Sequence, residues 1–199
     1  MKDRPTWYFA RTSDVDRVLQ SLGALPPPRT RPALVVVAGL PGTGKSQFSR
    51  ELRLRTGAII LESDAIRRLL FERPSYSWWE SRRVFTALHA AVERLLDSGA
   101  FCIVDATNLA EAYRRPLYEI AERHGAKLIV VEVTAPAEVA LARLSEREAV
   151  PESASDADVA VYERMLGEWE EIGREHFVVD TSKRTDEAAD AVAREMESA

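Results

Sequence analysis

Residues 39–46 read Gly-Leu-Pro-Gly-Thr-Gly-Lys-Ser, and they follow an apolar, β-branched run at 33–39. This order of residues constrains the fold more than any other feature of the chain. The spacing G-x-x-x-x-G-K-[ST] fits a strand that turns sharply into a helix around an anion. Glycines at 39, 42 and 44 allow backbone N–H groups to turn inward as a nest. The helix that starts at Lys45 aims its N-terminal dipole at the same point. Lys45 adds a mobile positive charge for β- and γ-phosphate oxygens, and the Ser46 hydroxyl is a hard oxygen suited to Mg²⁺. Gly39, Gly42, Thr43, Gly44, Lys45 and Ser46 are therefore expected to hold ATP with Mg²⁺.

The rest of the chain supplies a sheet for this loop. Short apolar runs recur at 58–61, 101–104, 127–133 and 176–179, apolar on both faces as in buried parallel strands. Helical spacing fills the intervals at 45–55, 65–71, 77–97, 111–124, 136–147, 156–174 and 186–196. Strands that alternate with helices predict βαβ crossovers and an α/β domain over 33–199. Residues 1–32 read differently. A short helix from a Ser13 cap to Leu22 is followed by Pro26-Pro27-Pro28 and Pro32, so this segment is expected to be an N-terminal extension with a proline-rich linker.

Bulk properties narrow the partners. A net charge of −5 argues against broad electrostatic capture of duplex nucleic acid, though a local basic groove is compatible with it. The one cysteine, Cys102, lies in an apolar run, so no internal disulfide forms and a cytoplasmic setting is expected. No apolar run approaches membrane-spanning length. Trp78 and Trp79 are expected to pack.

Several candidates for chemistry sit where strands end, which is where parallel sheets bind ligands. Asp64, just past the second strand, is a candidate general base for an acceptor hydroxyl; its alternative is a helix cap. Arg67, three residues on, is placed to hold an anionic group of the acceptor. Asp105 ends the third strand, where an acid organises Mg²⁺ beside Ser46, and Thr107 and Asn108 add polar side chains at that edge. Arg143 and Arg147, four apart on one helical face, head a segment over about 143–160 with the shape of a mobile lid; surface ion pairing is the alternative. Thr181, in the turn after the last strand, is a candidate neighbour of the nucleotide base.

Over about 33–182 these elements resemble small P-loop kinases of the AAA_33 and zeta-toxin-like group, nearest to polynucleotide 5′-hydroxyl kinase domains. Ser63-Asp64-Ala65-Ile66-Arg67 is similar to that group's Ser-Asp-x-x-Arg element, and Asp105-Ala106-Thr107-Asn108 to its Asp-x-Thr-Asn element. The resemblance implies a P-loop NTPase fold, a five-stranded parallel sheet in order 2-3-1-4-5 with helices on both faces and a helical lid. It implies transfer of the γ-phosphate of ATP to a hydroxyl, with Lys45, Asp64, Arg143 and Arg147 as catalytic residues and Arg67 and Asn108 at the acceptor. The acceptor stays open between a nucleic-acid 5′ end and a small nucleoside- or sugar-like molecule. A different class, a nucleotide-dependent switch with slow hydrolysis, has no need of an acceptor base at Asp64. Oligomeric state is not readable from these residues.

Overall fold

The computed structural model describes residues 12–148 and 159–198; the side chains of residues 12, 13, 147, 148 and 159 lie outside that description. Five strands form one parallel sheet: β1 (Ala33–Ala38), β2 (Ile59–Glu62), β3 (Phe101–Asp105), β4 (Lys127–Thr134) and β5 (Phe177–Asp180). Their spatial order is β2-β3-β1-β4-β5. The helices are α1 (Thr12–Ser21), α2 (Lys45–Thr56), α3 (Ser63–Leu70), α4 (Trp78–Asp97), α5 (Glu111–Arg123), α6 (Ala137–Glu148), α7 (Val159–Gly167) and α8 (Asp186–Glu197). This is the P-loop NTPase arrangement that the alternation of runs leads one to expect.

Strand β1 shows why the runs are apolar throughout. Leu34, Val36 and Ala38 face the core under α1, α3, α4 and α5. Ala33, Val35 and Val37 face the second core under α2 and α8. A central strand with helices on both sides has no solvent face, so the two-residue alternation of polarity disappears. Register then lines up the functional ends: Val37 pairs with Asp105, and Asp105 pairs with Glu62.

Two features differ from expectation. Trp78 and Trp79 do not pack into the core; they are 62% and 71% exposed and meet edge-on at the start of α4. The helix expected over 156–174 ends at Gly167. Past it, the Glu170 N–H donates to the Leu109 carbonyl, and buried Arg114 donates to the carbonyls of Glu170 and Glu171. Those backbone groups are claimed by a tertiary partner, and the helical ladder does not continue. Of the segment 149–158, which carries most of the expected lid, nothing lies within the described residues.

Helix α1 falls in the segment read as an extension, and it is seated on the body. Val15 and Val18 are buried in the same core as α4. The Arg83 guanidinium donates two hydrogen bonds, at 2.7 and 2.8 Å, to the buried Asp14 carboxylate. Arg94 pairs with Asp16 at 2.7 Å. The proline-rich stretch is tied at Arg29, whose N–H donates to the Gly99 carbonyl. Arg83→Ala removes two charge-assisted bonds from a buried carboxylate and should lower stability by about 1–3 kcal/mol. Urea unfolding and the rate of proteolysis in residues 22–32 check this; an unchanged midpoint with unchanged cleavage would contradict the docking of α1.

Candidate functional site

The loop between β1 and α2 is held in shape by three neighbours at its three glycines. A Cβ on Gly39 would lie 2.3 Å from the Val133 carbonyl oxygen, and one on Gly42 would lie 2.4 Å from that of Ala140. A Cβ on Gly44 would sit 3.0 Å from Thr181 Oγ1. Gly42 and Gly44 also have φ of 76° and 89°, a region that disfavours side chains. The glycines thus serve close approach as well as turn geometry. Inside the loop, Thr43 Oγ1 and Lys45 Nζ each donate to the Leu40 carbonyl at 2.8 Å. A helix N-terminus with a lysine beside it is an arrangement that can hold phosphate oxygens.

Arg143, on α6, clasps this loop to the turn after β5. Its guanidinium donates to Thr181 Oγ1 at 2.8 Å, to the Thr181 carbonyl at 2.9 Å and to the Gly42 carbonyl at 3.4 Å. Thr181 Oγ1 in turn donates to the Thr43 carbonyl at 2.6 Å. One arginine and one hydroxyl therefore join three segments far apart in sequence. Leu40 adds an apolar contact to Ala140, Leu144 and Tyr162 of α6 and α7. The Arg147 side chain lies outside the described residues, so the pairing of the two arginines is not visible.

Asp64 lies in the first turn of α3, one residue inside the helix, and Glu62 occupies the cap position without a side-chain cap bond. The cap alternative for Asp64 is thus not what the structure shows. Burial pushes the Asp64 carboxyl above its ordinary value, and Asp105 adds to the rise; Arg67, Arg68 and Lys45 oppose it. Glu62 is also raised, first by burial and then by the charge of Asp105. The charge of Asp105 thus adds to the rise at both Glu62, the end of β2, and Asp64, in the first turn of α3.

Asp105 is 3% exposed and, with Ser46 and Glu62, lines one cleft. Among the described residues no group of three His, Cys, Asp or Glu side chains could hold a metal alone. A hydroxyl and a carboxylate fit Mg²⁺, which takes few protein ligands and completes its shell with phosphate oxygens and water.

Two expected acceptor residues make contacts within the protein, and each keeps buried polar atoms without a hydrogen-bond partner: Arg67 Nε and Nη1, and Asn108 Oδ1. Arg67 is 5% exposed; it donates to Ser81 Oγ at 3.1 Å, pairs with Glu80 at 3.5 Å and lies over the Tyr76 ring. Asn108, 1% exposed and with φ of 47°, donates from Nδ2 to the Val37 carbonyl at 2.7 Å, which fixes the end of β1 beside Asp105. Sequence reasoning passed over Arg114, fully buried, which donates to the carbonyls of Asn108 and Leu109 and so secures that turn. It also passed over Arg50 and Arg53, which border the cleft with Ser46, Arg68 and Asp105. Arg50 and Arg53 follow Ser46 by four and seven positions, a helical-face spacing that the sequence does display.

Comparison with known proteins agrees with this geometry. The model of the AAA_33 family, described as an AAA domain, matches residues 34–172, well over half of the chain. The chain belongs to that family. Among solved structures, Kti12 of Chaetomium thermophilum in complex with ADP-AlF3 is 22% identical, with a TM-score of 0.64 over 82% of this chain and 98% of that one. The Mycobacterium tuberculosis APS kinase CysC in complex with AMPPNP and APS is 18% identical, with a TM-score of 0.63 over 86% and 99%. A gluconokinase from Sinorhizobium meliloti 1021 is 22% identical, with a TM-score of 0.56 over 85% and 94%. These likenesses are of fold.

Gly42→Ala places a methyl group against the Ala140 carbonyl in a disfavoured backbone region. It should weaken Mg·ATP binding at least tenfold and cost about 1–3 kcal/mol of stability. Thr181→Val should weaken binding by less, since it removes the clasp and leaves the cradle. Calorimetric titration checks both; wild-type affinity in Gly42→Ala would contradict the assignment.

Proposed function

We propose that this member of the AAA_33 family is a phosphotransferase that moves the γ-phosphate of ATP to an acceptor hydroxyl. The observation that carries the reading is the set of charges that meet just past β2, at the first turn of α3. Asp64 is largely buried there, and Arg67, Arg68, Lys45 of the phosphate loop and Asp105 all lie near enough for their charges to act on its carboxyl. A nucleotide-holding site needs the loop; a carboxyl set across from it is what an attacking hydroxyl needs.

In this reading the loop and Lys45 hold the β- and γ-phosphates. Ser46 and Asp105 would hold Mg²⁺, one directly and one through water, and the ion would neutralise phosphate charge. Asp64 accepts the proton of the acceptor hydroxyl as its oxygen attacks the γ-phosphorus. The bond from that phosphorus to the β–γ bridging oxygen breaks, and ADP leaves with the electron pair. Arg143, already against the loop, and Arg147 face the charge that spreads over the transferring group. Residues 33–199 form the catalytic body in this reading, with a lid over about 143–160.

A second reading has an observation in its favour. Arg67 and Arg143 are both engaged in protein contacts, as they would be in a nucleotide-dependent switch whose arginines report the bound state. The two readings separate in a transfer assay with labelled ATP, in which DNA and RNA oligomers with 5′-hydroxyls are set against small hydroxyl compounds. The kinase places label on an acceptor; label that appears only as inorganic phosphate, or not at all, would overturn it. The raised Asp64 carboxyl also fixes a pH dependence. A base must be ionised, and this one loses its proton later than an ordinary aspartate at 3.8. The acidic limb of kcat/KM should therefore have its midpoint above that value, and the limb should vanish when Asp64 is replaced by Asn.

A further inference from the structure

Arg67 stands on α3 three residues past Asp64, on the same helical face and about 5 Å further along the axis. Its side chain is buried, and Nε and Nη1 have no hydrogen-bond partner. Nη2 donates to Ser81 Oγ at 3.1 Å. Glu80 lies 3.5 Å from Nη1, an ion pair without a hydrogen bond. The Glu80 carboxylate is engaged by the turn between α3 and α4. It accepts from the Ser75 hydroxyl and the Ser75 N–H at 2.8 Å each, and from the Tyr76 N–H at 2.9 Å. Within that turn Tyr76 has φ of 53°, a left-handed backbone that a bulky side chain disfavours and that its surroundings must impose. The turn so held brings the Tyr76 ring over the Arg67 guanidinium, with 4.5 Å between the guanidinium carbon and the ring centroid. Buried donors without partners and a residue in a strained backbone each cost stability. Both are gathered one helical turn from the candidate base.

We propose that Tyr76, set in place by Glu80, is a positioning residue of the acceptor site: its ring holds the Arg67 guanidinium so that Nε and Nη1 stay open to an oxyanion carried by the acceptor near its hydroxyl. The proposal rests on the phosphotransferase reading and deepens it, since it makes the acceptor an anionic hydroxyl compound. A ring is suited to this work. It attracts the cation through its π face, out of the plane in which the guanidinium N–H groups point, so it fixes the group and leaves the donors open. A carboxylate brought into that plane would take the donors for itself. Glu80 is kept from this by its three hydrogen bonds to Ser75 and Tyr76. With Arg67 fixed, an anion on it and a hydroxyl at Asp64 are separated by about one helical turn, which limits how far apart the two groups of the acceptor can lie.

The test uses the full chain with Mg²⁺ and a non-hydrolysable ATP analogue, so that the phosphate loop is filled. Inorganic phosphate and acetate are titrated separately by calorimetry, which tells a phosphoryl from a carboxylate preference. At least one of them should bind at a single saturable site. Arg67→Ala and Tyr76→Gly should each weaken that binding at least tenfold. Glycine accepts the left-handed backbone at position 76, so the turn survives and the ring alone is lost. Tyr76→Phe keeps the ring and should stay within threefold of wild type, and Arg115→Ala, exposed on α5, should leave binding unchanged. In the matching transfer assay, hydroxyl compounds with and without an anionic group are compared. Tyr76→Gly should raise the KM of the anionic acceptor at least tenfold, with kcat and the KM of the neutral counterpart within twofold. In an Arg67→Ala background the same replacement should change kcat/KM by less than twofold, because Tyr76 acts through Arg67. Absence of a saturable anion site, an equal loss for anionic and neutral acceptors, or an equal loss with and without Arg67 overturns the proposal. Anion binding that responds to the variants as described, together with no transfer to any compound, keeps the role of Tyr76 at the anion site and sinks the phosphotransferase reading instead.

Discussion

The close approach of three separate segments to the glycines of the phosphate loop is the constraint on which the rest depends. The Val133 carbonyl at the end of β4, the Ala140 carbonyl in α6 and the Thr181 side chain after β5 stand where side chains at 39, 42 and 44, respectively, would have to go. The loop is therefore shaped from outside as much as by its own torsion angles. Arg143 completes the arrangement, since its guanidinium binds Thr181 and the Gly42 carbonyl together. A cradle held this way needs little rearrangement to meet phosphate, and binding then loses little to ordering. It also couples α6 to the turn after β5 through a single side chain.

Much of this was legible in the sequence because burial on two faces leaves a plain signature. Unbroken apolar runs such as 33–38 have no other use in a chain with 30% charged residues. The phosphate loop was legible because its backbone demands glycine at fixed positions. Asp64 and Asp105 could be placed because strand ends in parallel sheets are where ligands bind. The identity of residues carries these facts directly.

What was not legible depends on partners distant in the chain. The spacing of Arg67 from Asp64 is local, but its pairing with Glu80, thirteen residues on, is not, and it leaves Nε and Nη1 buried without a hydrogen-bond partner. Asn108 has the look of a polar group for a ligand, and its amide instead pins the Val37 carbonyl. The helix after residue 159 stops early because Arg114, sixty residues before its expected end, takes the carbonyls at 170 and 171. Trp78 and Trp79 suggest a core by type, but their place at the first turn of α4 leaves them outside it. The docking of α1 hangs on Asp14 and Arg83, a pair that no local pattern announces.

The account treats Asp64 as the group that turns a grip on ATP into a transfer site. The most direct measurement replaces Asp64 with Asn and reads two quantities on the same protein, the Kd for Mg·ATP and the rate of label transfer to the best acceptor. The account predicts a Kd within about threefold of wild type and a rate lower by about a hundredfold or more, the size of a lost general base. Undiminished transfer, or a loss of transfer matched by an equal loss of ATP affinity, would contradict it.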